Sequence, residues 1–230
     1  MTFQENISTL LRGLPSTVTL VAVTKGRSLA DALELVSSGI TNLGESRVQE
    51  ALQKYGNEKA LLRQHNIKLH LIGHLQKNKA RKAVQLFDLI QSVDSINLAQ
   101  EINKHAHTAG KLQDILLQVN IGNEPQKHGF TPEETIPALL ELKKLSNLSI
   151  CGLMAIAPHF NDPEQTRPYF RAMKALFDAA NAACAKKLLT HFLPSIPLNY
   201  LSMGMSSDYP IAVQEGATMV RIGRKLFAGR

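Results

Sequence analysis

Cysteine is scarce in this chain: two in 230 residues, Cys151 and Cys184, at no spacing that suits a metal or a disulfide framework. That excludes a cysteine-stapled secreted scaffold and fits free thiols in a reducing compartment. No apolar run reaches the roughly 18 residues of a membrane helix. The opening MTFQENISTLLRGLP lacks the basic start and apolar core of a secretory leader. A soluble cytoplasmic protein is expected, with no membrane partner. Cations are not gathered into a block either, although 26 Lys and Arg against 19 Asp and Glu leave a net charge of +7. Without a continuous basic stripe, the charge suits anionic small ligands and not nucleic acid.

Familiar nucleotide and hydrolase signatures are missing as well. There is no G-x-G-x-x-G after the first β-rich run and no G-x-x-x-x-G-K-[ST], so neither a dinucleotide fold nor a P-loop is expected. Without G-x-S-x-G, a Ser-His-Asp assignment has no anchor. His70 and His74 stand four apart, but a glycine and a strand-to-loop transition separate them. They make no helical metal pair, and no metal site is expected there.

What is present is a rhythm. From residue 18 onward, short β-rich runs alternate with helical segments, with strands expected at 18–24, 41–43, 68–72, 89–93, 114–121, 149–157, 198–202 and 218–222. Several are almost continuously apolar, as in parallel sheets covered on both faces. Helix starts carry caps: Ser28 with Asp31, Ser95 alone, Thr131 with Pro132 and Glu134, and Thr2 with Glu5 ahead of an N-terminal helix. Gly39, Gly110 and Gly216 each fall between a helix and the next strand. Pro163 and Pro168 predict an irregular start for the long helical stretch 162–187. Eight such units fit an α/β fold of the closed (β/α)8 barrel type, one domain over residues 1–230, with an additional N-terminal helix.

In such a barrel, functional groups gather where strands end and helices begin. Those positions hold Lys25, the segment 42–46, His70 to His74, Asn120, His128, Met154 and His159. The last two strand exits read LSMGMSSD and MVRIGRK. Gly204 and Gly223 there allow a backbone to approach a ligand closely. Ser206 or Ser207 opens a helix whose free N–H groups favour an anion, and barrels often hold phosphate after strands seven and eight. Plain turn and cap chemistry is the simpler explanation for either loop alone. Lys25 likewise has a simple explanation as a solvated strand end. A lysine beside a phosphate pocket also suits a Schiff base, because a neutral amine attacks an aldehyde. Pyridoxal 5'-phosphate carries both aldehyde and phosphate. Arg221 would then face the pyridine nitrogen; as a pure donor it cannot accept the ring proton, which weakens the ring as an electron sink.

At this point the residues resemble a known family. LVAVTK, NLGESRVQEAL, HLIGHLQKNKARKA, QVNIGNEPQKHGF, GLMAIAP, LSMGMSSDYPIAVQEGATMVRIG and the terminal LF are similar, in order and over nearly the whole chain, to the pyridoxal phosphate homeostasis proteins. The resemblance implies a single barrel like the N-terminal domain of alanine racemase, of the type III pyridoxal phosphate fold. It places the cofactor lysine on Lys25 and the phosphate contacts on Ser202, Gly204, Ser206, Gly223 and the Arg224 N–H. The ring-facing arginine falls on Arg221, and Asn42 and Met154 fall in segments lining the cofactor cleft. Ser46 stands where the family often has asparagine, Arg224 where serine or threonine is common, and Ala228 where a closing glycine is usual.

The resemblance also implies a carrier or buffer of intracellular pyridoxal phosphate with no established turnover. A fold of this type racemises with a second acid–base group from a further domain, and the chain ends at Arg230 without length for one. A monomer is expected. Free amino acids exchanging with Lys25, and recipient enzymes dependent on pyridoxal phosphate, are its candidate partners beside the cofactor. A weak pyridoxal-dependent racemase or lyase is the alternative.

Overall fold

Runs buried on both faces become the eight strands of a closed parallel barrel, seen in a computed structural model that describes residues 3–188 and 197–229. The strands are β1 (Thr19–Val23), β2 (Asn42–Glu45), β3 (Lys68–Leu71), β4 (Leu89–Val93), β5 (Gln113–Val119), β6 (Leu148–Ala155), β7 (Tyr200–Ser202) and β8 (Met219–Ile222). Each pairs with its neighbour in sequence, and β8 returns to β1 with Val21 opposite Arg221. Closure removes both sheet edges.

Side chains alternate along each strand, so one set fills the barrel and the other meets the helices. Val21, Leu89, Leu116, Met154 and Met219 form the inner cluster. Leu20, Ala22, Leu43, Leu69 and Leu71 join the larger outer core beneath the helices.

The helices begin where short-range chemistry says they should. Ser28 and Asp31 close a reciprocal capping box at the start of α2 (Leu29–Ser37), following α1 (Phe3–Gly13). After α3 (Val48–Tyr55), α4 (Lys59–Gln64) and α5 (Ala80–Leu86), Ser95 caps α6 (Ile96–Thr108). Thr131 and Glu134 close a second box on α7 (Pro132–Leu142). Thr2, the cap expected for α1, lies outside the described residues. Pro163 opens a 3-10 turn over Pro163–Thr166, and α8 (Arg167–Leu188) starts only after it, which is the irregular start that two prolines impose. α9 (Tyr209–Gln214) completes the set. Phe3 of α1 stacks on Phe227, centroids 5.5 Å apart, so α1 packs against the segment that follows β8. No helix among the described residues is long and apolar enough to cross a membrane.

Every strand but β4 differs from its expected span by one or two residues, and β2 is where the difference bears on the site. β2 spans Asn42–Glu45 and not 41–43, because a fully buried glutamate continues it. Gly44 faces the barrel interior, where an added Cβ would lie 2.9 Å from Val21 Cγ1. Glu45 therefore points outward, and Lys54 of α3 meets it there at 2.7 Å.

Candidate functional site

Lys25 stands just past β1, and its two neighbours are held fast. The Thr24 N–H donates to the Gly44 carbonyl at 3.0 Å, and Thr24 Oγ1 donates to Glu45 Oε1 at 2.8 Å. Lys54 Nζ donates to both the Thr24 carbonyl and Glu45 Oε1, each at 2.7 Å. Tyr55 brings its hydroxyl to 3.1 Å from Thr24 Oγ1, and burial raises its pKa well above the usual phenol range. On the other side, the Gly26 N–H donates to Glu50. The acids near this strand exit are thereby engaged by Lys54 or by backbone, and no hydrogen bond or ion pair ties the exposed Lys25 amine to another described residue. The lysine is positioned by its backbone while its amine stays free.

Opposite Lys25, β8 supplies Arg221, which is only 3% exposed. Arg221 donates to Ser202 Oγ at 2.6 Å and to the Ala155 carbonyl at 2.8 Å. Burial pulls its pKa down to about 10, so it remains a cation at neutral pH. The Ser202 hydroxyl donates onward to Gln91 Oε1 at 2.7 Å. Gln91 Nε2 then meets His70 Nδ1 at 2.9 Å, and His70 Nε2 meets Asn42 Oδ1 at 3.1 Å. Burial, aided by Lys68, pushes the His70 pKa down to about 3. The network assigns a neutral imidazole with its proton on Nε2. A polar ladder thus crosses the barrel interior and ends on Arg221.

The loop after β7 meets the loop after β8. Ser206 Oγ accepts from the N–H groups of Gly223 and Lys225, each at 3.3 Å. Glycine at 223 eases a close approach, since a Cβ would lie 3.1 Å from Val23 Cβ, a tight contact. Gly204 serves packing instead: its φ is +92°, and a Cβ would fall 2.6 Å from Ala212 Cβ.

These groups open onto one cavity of about 300 Å³. Its polar lining is Lys25, Ser46, Ser206, Arg221 and Arg224; its apolar lining is Val23, Ile72, Ile156 and Met205. The volume is at the small end for ligand pockets, and apolar side chains beside cationic and hydroxyl donors suit an aromatic ring bearing an anion.

Five of the residues singled out from sequence therefore meet: Lys25, Ser206, Arg221, Gly223 and Arg224. Ser202 lies one layer deeper, as the support of Arg221. Two placements need correction. Asn42 is the first residue of β2, so it lies at the opposite mouth of the barrel, beside Lys68 and Tyr200. Met154 is fully buried in the inner cluster, and Ile156 takes the lining position two residues on. The anion-favouring helix start also shifts, because α9 begins only at Tyr209. Asp208 Oδ1 there accepts from the Met205 N–H, so the donors that reach Ser206 come from the β8 loop instead. Val23, Ile72, Ile156 and Met205 were missed, because apolar residues at strand exits look like core; two-residue alternation from the interior positions Val21, His70 and Met154 would have found the first three, whereas Met205 lies in the loop after β7.

Closed parallel topology, and a cavity between the exits of β1 and β8, define a barrel of the alanine racemase type. The family described as "Alanine racemase, N-terminal domain" matches residues 2–230. Alanine racemase of Clostridium difficile shares the fold at 17% identity, with a TM-score of 0.68 over 99% of this chain and 56% of its own. Much nearer is the pyridoxal phosphate homeostasis protein of Synechocystis, 41% identical over 223 residues, 97% of this chain and 96% of that one. PipY of Synechococcus elongatus, solved with PLP bound, is 38% identical with a TM-score of 0.81, covering 99% of this chain and 100% of its own. The chain belongs to the pyridoxal phosphate homeostasis protein family.

Proposed function

We propose that this protein binds pyridoxal 5'-phosphate through Lys25 and serves intracellular homeostasis of that cofactor without turning over a substrate. The observation that carries this is the shared cavity: a free amine on the β1 side, and backbone N–H groups gathered on Ser206 with Arg224 on the β7–β8 side. Relatives named for pyridoxal phosphate homeostasis and the PLP-bound PipY support the same choice of ligand. When bound, the cofactor would supply an aldehyde, and Lys25 is the residue whose neutral amine would hold it.

Each remaining group has a task. Ser206, the Gly223 and Lys225 N–H groups and Arg224 hold the phosphate end. Val23, Ile72, Ile156 and Met205 flank the ring and exclude water. Arg221, pinned by Ser202 and Ala155, presents donors to the ring nitrogen and offers it no proton acceptor. Racemisation needs a second proton-transfer group across from the amine. Among the described residues lining the cavity there is no carboxylate, histidine, tyrosine or cysteine. That composition favours storage and exchange over turnover. The proposal takes the protein as a cytoplasmic monomer whose partners are free amino acids and recipient enzymes.

An absorbance spectrum followed by borohydride reduction and peptide mass analysis tests it. The expected result is an imine chromophore in the near ultraviolet to violet and a phosphopyridoxyl adduct on Lys25, both lost in Lys25→Ala. A wild-type protein that takes up no added cofactor, or an adduct on another lysine alone, overturns it.

A further inference from the structure

Three side chains outside the Lys25 cavity converge at the same mouth of the barrel. His74 follows β3, Asp94 follows β4, and His128 lies in the loop between β5 and α7. One donor atom from each falls within 4.8 Å of the others. His74 Nδ1 is 2.9 Å from Asp94 Oδ2, and His128 Nδ1 is 3.9 Å from that same oxygen. The two imidazoles stack with centroids 3.8 Å apart and planes 13° from parallel.

Their supports come from barrel strands and from the loop after β5. Ser92 Oγ donates to the Gly73 carbonyl at 2.6 Å, which ties the residue before His74 to β4. Gln118 Nε2 of β5 donates to the His128 carbonyl at 2.7 Å. Asn120 shapes the intervening loop by donating to the Glu124 carbonyl at 2.9 Å. Lys127, the neighbouring cation, pairs with Glu124 and so leaves Asp94 to the imidazoles. The Asp94 side chain is 10% exposed, whereas His74 and His128 are 42% and 59% exposed. A mostly buried carboxylate thus sits beside two exposed imidazoles that have room to turn.

We propose that His74, Asp94 and His128 form a binding site for a divalent cation of the zinc class, with a coordination position left open to solvent. Imidazole nitrogen and carboxylate oxygen are ligands for zinc, cobalt, nickel and copper; magnesium and calcium take all-oxygen shells. Bonds of roughly 2.0–2.2 Å in a tetrahedron put ligand atoms roughly 3.3–3.6 Å apart. The observed 2.9 and 3.9 Å bracket that spacing, and the stacked rings must splay apart to aim both imidazole lone pairs at one ion. Three protein ligands of four leave one position free. His74 comes two residues after Ile72, which lines the Lys25 cavity.

Untagged, chelator-stripped full-length protein titrated with Co²⁺ tests this, because tetrahedral cobalt reports its ligands in visible absorption. One equivalent should bind saturably, be displaced by Zn²⁺ and ignore excess Mg²⁺. His128→Ala and Asp94→Asn should each weaken binding at least about tenfold, while His107→Ala, on an exposed face of α6, should leave it unchanged. Both histidines are exposed, so far-ultraviolet circular dichroism should show a folded His74→Ala/His128→Ala double variant. Absence of saturable binding, or binding that survives in that double variant, overturns the proposal.

Discussion

The two walls of the cavity treat their cations in opposite ways. On the β1 wall, Lys25 is exposed and unpaired, while Lys54 behind it absorbs the nearby carboxylate. On the β8 wall, Arg221 is buried and pinned by a serine hydroxyl and a carbonyl. The difference suits the work proposed for each. An amine that must make and break a covalent bond needs access and freedom from acids. A cation that sets the orientation of a ring needs a fixed plane, and guanidinium supplies one. Rigidity sits behind the lysine and within reach of the arginine.

The largest expected effect comes from breaking the support of the free amine. Lys54 and Glu45 are 7% and 0% exposed and 2.7 Å apart. Removing one partner strands the other charge in the core, so Lys54→Met should destabilise the fold by about 3–5 kcal/mol in urea unfolding. Adding Glu45→Gln should recover much of that loss, because the stranded charge disappears. A single variant costing under about 1 kcal/mol would show that the pair does not brace the β1 wall.

A second test sharpens the other side of the contrast by loading the ladder behind Arg221. His70 is held at about 3 by burial, against about 6.5 in the unfolded chain. Between those values the unfolded state binds the extra proton, so stability falls as pH falls. From about pH 7.5 to 5 this group alone should remove about 2 kcal/mol. His70→Gln keeps an acceptor for Gln91 and a donor for Asn42 and does not titrate. Urea unfolding at both pH values should show that much less loss in the variant than in the wild type. Equal slopes would mean that His70 is not the buried neutral group described.

Much of the fold was legible because its signals are local. Ser28 with Asp31, and Thr131 with Glu134, read as caps and form complete capping boxes. β4 matched its expected span, 89–93, because each of its residues is buried. β2 was harder, since an acid inside a strand makes sense only once Lys54 is known to face it. That strand has four residues, so ending it at 43 and not at Glu45 moved Asn42 from one mouth of the barrel to the other. In the site, Lys25, Ser206, Arg221, Gly223 and Arg224 were legible as strand exits. The ladder was not, because Ser202 and Gln91 lie 111 residues apart and meet only when the barrel closes.

The smallest expected effect separates the two walls most cleanly. Ser206 Oγ gathers the N–H groups of Gly223 and Lys225. Ser206→Ala deletes one hydroxyl and leaves both amides free to face an anion. The loss should be about 1 kcal/mol, or about fivefold weaker retention of pyridoxal 5'-phosphate. Borohydride should still trap an adduct on Lys25, because the β1 wall is untouched. The deciding comparison uses pyridoxal, which has the aldehyde and lacks the phosphate. Its uptake should be the same in Ser206→Ala and wild type if Ser206 acts on the anion alone. An equal loss for both compounds would instead mean that Ser206 shapes the cavity as a whole, and that the division of labour between the two walls does not hold.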